Sequence, residues 1–249
     1  MGRKQVAADC LEWLIDLNEV EIIGVLTDDH LPVSPTKDVA LKNNIKLYNF
    51  ETATAAMNNG VLEYDIGASM LYWRKLKGPF LSVPRLANIN FHPAPLPDYK
   101  GTAGYNIAIL EGLEEWAATA HYVDENIDTG EIIEVSRFDI DREKDTVQTL
   151  ERATQPVLCE LFKSVISLAI SQGLKLKTKQ NVGGRYISRK EMEDMKEVKD
   201  GDDVNRKIRA FWFPPYNGAY IKINNEKYTL VNDCILKELA GPGQKHTIF

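Results

Sequence analysis

"NINFHPAPLPDYKG", residues 88–101, decides how the rest of the chain is read. It has the look of a strand running into a Pro- and Gly-rich loop. Ile89 and Phe91 alternate with Asn88, Asn90 and His92. Alternate residues of a strand share a face, so one face is apolar and the other carries two amides and an imidazole. A strand buried in a parallel sheet is ordinarily apolar on both faces. One reading has these groups capping the strand and holding the loop, as amides and histidines at strand ends often do. The other has them lining a site, because open α/β sheets place ligands at the carboxyl ends of their strands.

The segments around this stretch alternate. Upstream, Val6, Cys10, Trp13, Leu14 and Leu17 recur at helical spacing, and "VEIIGVLT" (20–27) is a β-branched run that predicts a strand. A helix over 37–44, a strand in "IKLYNF", a helix in "ETATAAMNNG" and a third strand over 64–73 follow. Downstream, "AGYNIAILEGL" predicts a helix, and "ATAHYVD" and "GEIIEVSRFDI" predict strands. A long helix then starts near Asp145 and runs to Gly173, with Pro156 a candidate break. Strands alternating with helices predict an α/β fold with a Rossmann-like, open, mostly parallel sheet. Such folds open on an apolar strand, whereas here Gly2 already resembles the first turn. The expectation is a first strand missing, or a sheet built differently.

Beyond Gly173 the chain turns polar. A helix in "DDVNRKIRAF" precedes "WFPPYNGAYIKINNEKYTLV", which predicts two strands joined by a turn at Asn224–Asn225. The expected division is a catalytic domain over 1–175 and a small C-terminal α+β region with a β-hairpin over 176–249.

Composition narrows the class. The chain has 249 residues, 44% hydrophobic and 27% charged, which is ordinary for a soluble globular protein. Its net charge of −6 lacks the basic surplus of a general nucleic-acid binder. No run reaches the roughly 18 consecutive apolar residues of a membrane span. The acidic residues Asp9, Glu12 and Asp16 argue against a signal peptide, so a cytoplasmic protein is expected. Cys10, Cys159 and Cys234 have no metal-type spacing and read as buried or incidental thiols in a reducing compartment.

A second stretch gives the first its chemical meaning. "HYVDENIDTGEII" places Asp124, Glu125 and Asp128 in an acidic loop between two strands. An amide, an imidazole and a carboxylate are the parts for an acyl-type transfer. Together, "NINFHPAPLPDYKG", a following helix and "HYVDENIDTGEII" resemble the formyltransferases that use 10-formyltetrahydrofolate. The likeness spans roughly residues 2–170. It implies a catalytic trio falling on Asn90, His92 and Asp128. Asn90 would donate to the carbonyl oxygen as it gains charge, His92 would take the proton of the attacking amine, and Asp128 would orient the imidazole. No metal is implied.

The likeness also implies a folate pocket. "MLYWRKLKGPF" matches the segment that reads the pterin ring in relatives, which puts Trp73, Arg74, Lys75 and Leu76 in the cofactor site. Asp124, Glu125 and Ile127 would form the opposite wall. Two cations closing a strand at the surface remain the alternative reading of Arg74 and Lys75.

"GGRYISRKEMEDM" and "FWFPPYNGAY" further resemble bacterial sugar-nucleotide N-formyltransferases. That likeness implies a dTDP-linked 3- or 4-amino deoxysugar as acceptor, a role in lipopolysaccharide O-antigen synthesis, and a homodimer. No nucleic-acid or membrane partner is expected. Lys100 and Tyr105 would lie beside the amine-bearing substrate. Trp212, Phe213 and Tyr216 would stack the nucleotide or, alternatively, cement the C-terminal region onto the main domain. Arg3 and Lys4, at the start of the first helix, would meet a diphosphate through charge and the helix dipole or, alternatively, stand solvated, as basic residues at an N-terminus commonly do. Two rivals stay open: a methionyl-tRNA formyltransferase-like enzyme, and a folate-binding or deformylase protein in which water replaces the amine.

Overall fold

The computed structural model describes residues 1–28, 30–31, 33–173 and 176–239. Helix α1 (Lys4–Ile15) is followed by β1 (Val25–Leu26), α2 (Pro35–Lys42), β2 (Leu47–Tyr48) and α3 (Phe50–Asn58). Next come β3 (Ile66–Met70), the single turn α4 (Pro79–Ser82), β4 (Ala87–His92), β5 (Tyr99–Gly101) and α5 (Gly104–Glu111). Strands β6 (Glu115–Tyr122) and β7 (Ile132–Asp139) lead into the long helix α6 (Val147–Gln172). The remaining elements are β8 (Arg185–Ile187), α7 (Arg189–Asp194), α8 (Val204–Phe211), β9 (Tyr220–Ile223), β10 (Glu226–Thr229) and α9 (Asp233–Leu239).

The central sheet runs β3-β4-β6-β7. Strands β3 and β4 are parallel, whereas β6 is antiparallel to both β4 and β7. On the other side of β3, β1 and β2 pair in parallel. The chain's first residues connect the two groups. Gly2 N–H donates to Leu26 O (3.0 Å), Met70 N–H to Met1 O (2.9 Å) and Arg3 N–H to Met70 O (3.2 Å). Met1 and Gly2 thus lie between β1 and β3, where the first strand of such a fold belongs, and α1 leaves immediately afterwards. The strand expected over 20–27 is regular only at Val25 and Leu26. Its neighbours, Leu47–Tyr48 and Met1–Gly2, offer ladder partners there alone among the described residues.

Helix α6 covers one face of the sheet. Leu158, Leu161, Phe162, Val165, Ile166 and Ala169 form a buried stripe at helical spacing. They pack with Ile89 and Phe91 of β4, Ala118 and Ala120 of β6, and Val6 and Cys10 of α1. The Phe91 and Phe162 ring centroids are 4.9 Å apart. By length and composition α6 could cross a membrane, but this stripe is committed to the sheet. The helix runs through Pro156 unbroken. Pro156 and Arg152, whose carbonyl loses its helical donor, are both exposed, so water can take that bond.

Residues after 176 are stitched to this frame in two places. Strand β8 pairs in parallel with β5. Ile208, Ala210 and Phe211 of α8 share a buried cluster with Ala108 and Ile109 of α5, Trp116 of β6 and Leu150 of α6. The predicted hairpin is present: Ile223 pairs with Glu226, and Asn224 and Asn225 have φ of 49° and 67°. Both are left-handed, as a two-residue hairpin turn of this kind requires.

Candidate active site

Strand β4 sends its two kinds of residue to opposite sides. Ile89 and Phe91 enter the core under α6. Of the polar face, Asn88 is buried and its amide donates to Phe80 O, while its oxygen accepts from the Tyr64 hydroxyl at 3.3 Å. Asn88 therefore fastens the strand. Asn90 and His92, nearer the carboxyl end, open into a cleft of about 520 Å³.

His92 Nε2 lies 2.7 Å from Tyr99 O. A carbonyl only accepts, so Nε2 carries the proton and Nδ1 holds the lone pair of the neutral ring. That Nδ1 is 3.5 Å from Asp128 Oδ2. Asp128 sits in the β6–β7 loop with φ of 56° and takes a 2.9 Å hydrogen bond from Gly101 N–H on Oδ2. Its other oxygen, Oδ1, is 3.5 Å from Asn90 Nδ2 and 3.5 Å from His121 Nε2. Asn90 Nδ2 and His121 Nε2 are 3.1 Å apart. His121 Nδ1 donates to Tyr122 O (2.8 Å), which leaves Nε2 to accept one Asn90 amide hydrogen. The second amide hydrogen has only the long Asp128 contact and is available to a substrate oxygen.

The electrostatics suit proton transfer. Burial pushes His92 below its ordinary 6.5, and the pull of Asp128 and the Tyr99 carbonyl in the other direction does not overcome it. Burial also pushes the Asp128 carboxyl up. The adjoining charge of His92, the His121 ring and the Gly101 N–H outweigh that and hold it at about 2. Near pH 7 the pair is a neutral base beside a carboxylate. A nucleophile that attacks a carbonyl in this cleft can give its proton to His92 Nδ1, with Asp128 stabilising the imidazolium. Asn90 can donate to the oxygen that gains charge.

The cleft lining includes the apolar residues Leu71, Trp73, Leu76, Val123 and Ile127, together with Arg74 and Lys75. Trp73 and Ile127 are 45% and 42% exposed, so large apolar faces look into the opening. Arg74 lies 4.6 Å over the Trp73 ring and pairs with Glu51 at 2.5 Å. Asp124 also lines the cleft, and its Oδ1 accepts from Asn126 N–H and the Thr129 hydroxyl, shaping the loop that carries Asp128. Glu125 is exposed and outside the lining. Among the described residues no group of three or more His, Cys, Asp or Glu is placed to hold a metal.

The same lining includes Arg3, Lys4, Tyr105, Tyr186 and Arg189. Lys4 Nζ is 2.7 Å from the buried Glu151. Arg3 Nε is 2.8 Å from the buried Asp28 Oδ1, close in charge but not aligned as a hydrogen bond. Of the residues expected beside an acceptor, Tyr105 lines the cleft. Lys100 does not: it is buried and its Nζ donates to Gly183 O at 2.6 Å. Trp212 and Phe213 pack against the α5–α8 cluster, and Tyr216 is 64% exposed against Phe213. None of these three lines the cleft, although the Lys4 ammonium stands 5.8 Å from the Phe213 ring. Sequence reading missed His121, Tyr186 and Arg189. His121 stood in the quoted acidic stretch, but its partnership with Asn90 depends on the antiparallel register of β4 and β6.

Residues 20–166 match the formyl transferase family, and the chain belongs to it. The protein is accordingly a formyltransferase. Among its relatives, the GDP-perosamine N-formyltransferase of Brucella melitensis biotype 1 is 26% identical over 240 residues, covering 92% of this chain and 90% of that protein. The methionyl-tRNA formyltransferase of Clostridioides difficile strain 630 is 28% identical over 253 residues, covering 95% and 77%. Two solved structures are also similar. An N-formyltransferase of Helicobacter canadensis, in complex with folinic acid and dTDP-3-aminofucose, superposes with a TM-score of 0.70 at 25% identity, covering 91% of this chain and 83% of that one. WlaRD, a sugar 3N-formyl transferase determined with dTDP and 5-N-formyl-THF, gives 0.71 at 26% identity, covering 91% and 82%.

Proposed function

We propose that this formyltransferase moves a formyl group from 10-formyltetrahydrofolate to the amine of a nucleotide-linked amino sugar, with dTDP the favoured nucleotide. The observation that carries the reading is a single cleft whose lining brings Asn90, His92 and Asp128 together with large apolar faces and with several cations. The apolar residues fit a flat aromatic donor: Trp73 and Ile127 offer ring and branched faces, and Arg74 and Lys75 suit the carboxylates of a folate tail. Bound there, the folate supplies the formyl carbon. The lining cations Arg3, Lys4 and Arg189, with the rings of Tyr105 and Tyr186, suit a phosphorylated acceptor bearing an aromatic base. The two nucleotide-sugar neighbours support this choice of acceptor.

In this reading His92 Nδ1 accepts the amine's proton, Asp128 holds the imidazolium, and Asn90 donates to the formyl oxygen. The 28% identity to a methionyl-tRNA formyltransferase favours a second acceptor, the amine of a charged tRNA. The net charge of −6 removes the usual electrostatic attraction for it. The test is a panel of dTDP-, UDP- and GDP-linked amino sugars and methionyl-tRNA, incubated with 10-formyltetrahydrofolate and read by mass. A formamide on a dTDP-amino sugar is expected. Formylation of methionyl-tRNA alone, or folate consumption without any acceptor product, would contradict the reading.

A further inference from the structure

We propose that Asn181, which lies outside the family-matched residues 20–166, is a positioning residue for formyl transfer: its side-chain amide fixes the backbone of Asp128 and thereby the carboxylate that faces His92.

The observation is a pair of hydrogen bonds from one buried side chain. Asn181 Nδ2 donates to Asp128 O at 3.0 Å and to Gly130 O at 2.8 Å, so both amide hydrogens are committed to the Asp128 turn. That turn needs holding. Asp128 is a non-glycine residue at φ 56°, a conformation that costs free energy unless its surroundings impose it. Gly130 approaches the neighbouring strand so closely that a Cβ would lie 1.8 Å from Tyr122 O.

Asn181 is itself anchored. Lys179 exchanges both backbone hydrogen bonds with Ile132, at 2.7 and 2.9 Å, and Thr178 and Gln180 each bond Glu131 at 3.0 Å. The chain then continues to Gly183, whose carbonyl takes the Lys100 ammonium, and on to β8, which pairs with β5. The last residue of β5, Gly101, is the one whose N–H holds Asp128 Oδ2 at 2.9 Å. A single segment, 179–187, therefore grips Asp128 twice: at its main chain through Asn181 and at its carboxylate through β5. This explains why Lys100 is turned away from the cleft. Its charge serves the strap instead of a substrate.

The inference rests on the formyl-transfer reading of Asn90, His92 and Asp128, but its first test needs no acceptor. The His92 ring is titrated by NMR in wild type, Asn181→Leu, Asn181→Ala and Gln180→Ala. Asn181→Leu keeps the approximate shape, adds no charge and removes both donors. Gln180→Ala loosens the same segment without touching Asp128. A displaced Asp128 no longer raises the His92 pKa, so both Asn181 variants should titrate at lower pH than wild type, with Gln180→Ala unchanged. In the transfer assay, kcat should fall about ten- to a hundredfold while the donor KM stays within about threefold, as for a small misplacement remote from the reacting atoms. A wild-type His92 titration and kcat in Asn181→Leu would overturn the proposal. So would lowered melting temperature with unchanged kcat, or failure of both Asn181 variants to fold, since each points to a purely structural role. A shifted titration with no transfer in any protein, wild type included, would fault the acceptor and leave the positioning role supported.

Discussion

Asn90 and His121 are register partners across β4 and β6, and their side chains meet at 3.1 Å on the cleft side of the sheet. The contact fixes the carboxamide. One hydrogen is held by the imidazole, and the rotation that would carry the donor away from a substrate oxygen is blocked. Asn90→Ala removes the donor itself and should lower kcat by about 10²–10³-fold, the usual cost of losing an oxyanion donor. His121→Ala leaves the donor in place but free to turn, so its loss of kcat should be smaller, with donor affinity unchanged. Steady-state kinetics on the two variants checks the order.

His92 supplies the pH dependence. Its neutral form is the base, and burial sets its pKa below 6.5. kcat should therefore hold as pH falls from 7 through 6.5 and decline only below that. His92→Ala should lose about 10²–10⁴-fold in kcat. Folate binding, followed by fluorescence quenching, should persist.

Acid stability tests the Asp128 environment separately. Its folded pKa of about 2 lies below the ordinary 3.8, so the carboxylate stabilises the fold above pH 3.8 and that contribution is lost as pH falls towards 2. The shift corresponds to roughly 2 kcal/mol. Urea titrations from pH 6 to 2 should show Asp128→Asn with a shallower decline than wild type between about pH 4 and 2.

Residues assigned to the donor and to the acceptor should separate kinetically. Trp73→Ala removes a half-exposed ring from the cleft lining and should raise the donor KM about tenfold, leaving the acceptor KM near wild type. Arg189→Ala should do the reverse. Initial rates with each substrate varied in turn distinguish the two.

Much of this was legible in the chain because it was written locally. The Asn-x-His alternation, the acidic loop and the Asn224–Asn225 turn are features of contiguous residues. What escaped depended on partners distant in sequence. His121 gains its meaning from a strand register 31 residues away. Lys100 was expected beside the acceptor, yet its ammonium donates to a carbonyl 83 residues on. Of the two readings open for Trp212 and Phe213, stacking a nucleotide or cementing the C-terminal region, their packing on the cluster around Trp116 and Ile208 fits the second. The short β1 reflects the same limit, because a β-branched run becomes a regular strand only where a neighbour supplies the ladder.

The most direct measurement of the central claim is the single-turnover rate of formyl transfer, with donor and acceptor saturating, in wild type, Asn90→Ala, His92→Ala and Asp128→Asn. The account predicts that all three variants bind 10-formyltetrahydrofolate with near wild-type affinity and that each transfers at least about a hundredfold more slowly. Transfer at the wild-type rate by His92→Ala would contradict it.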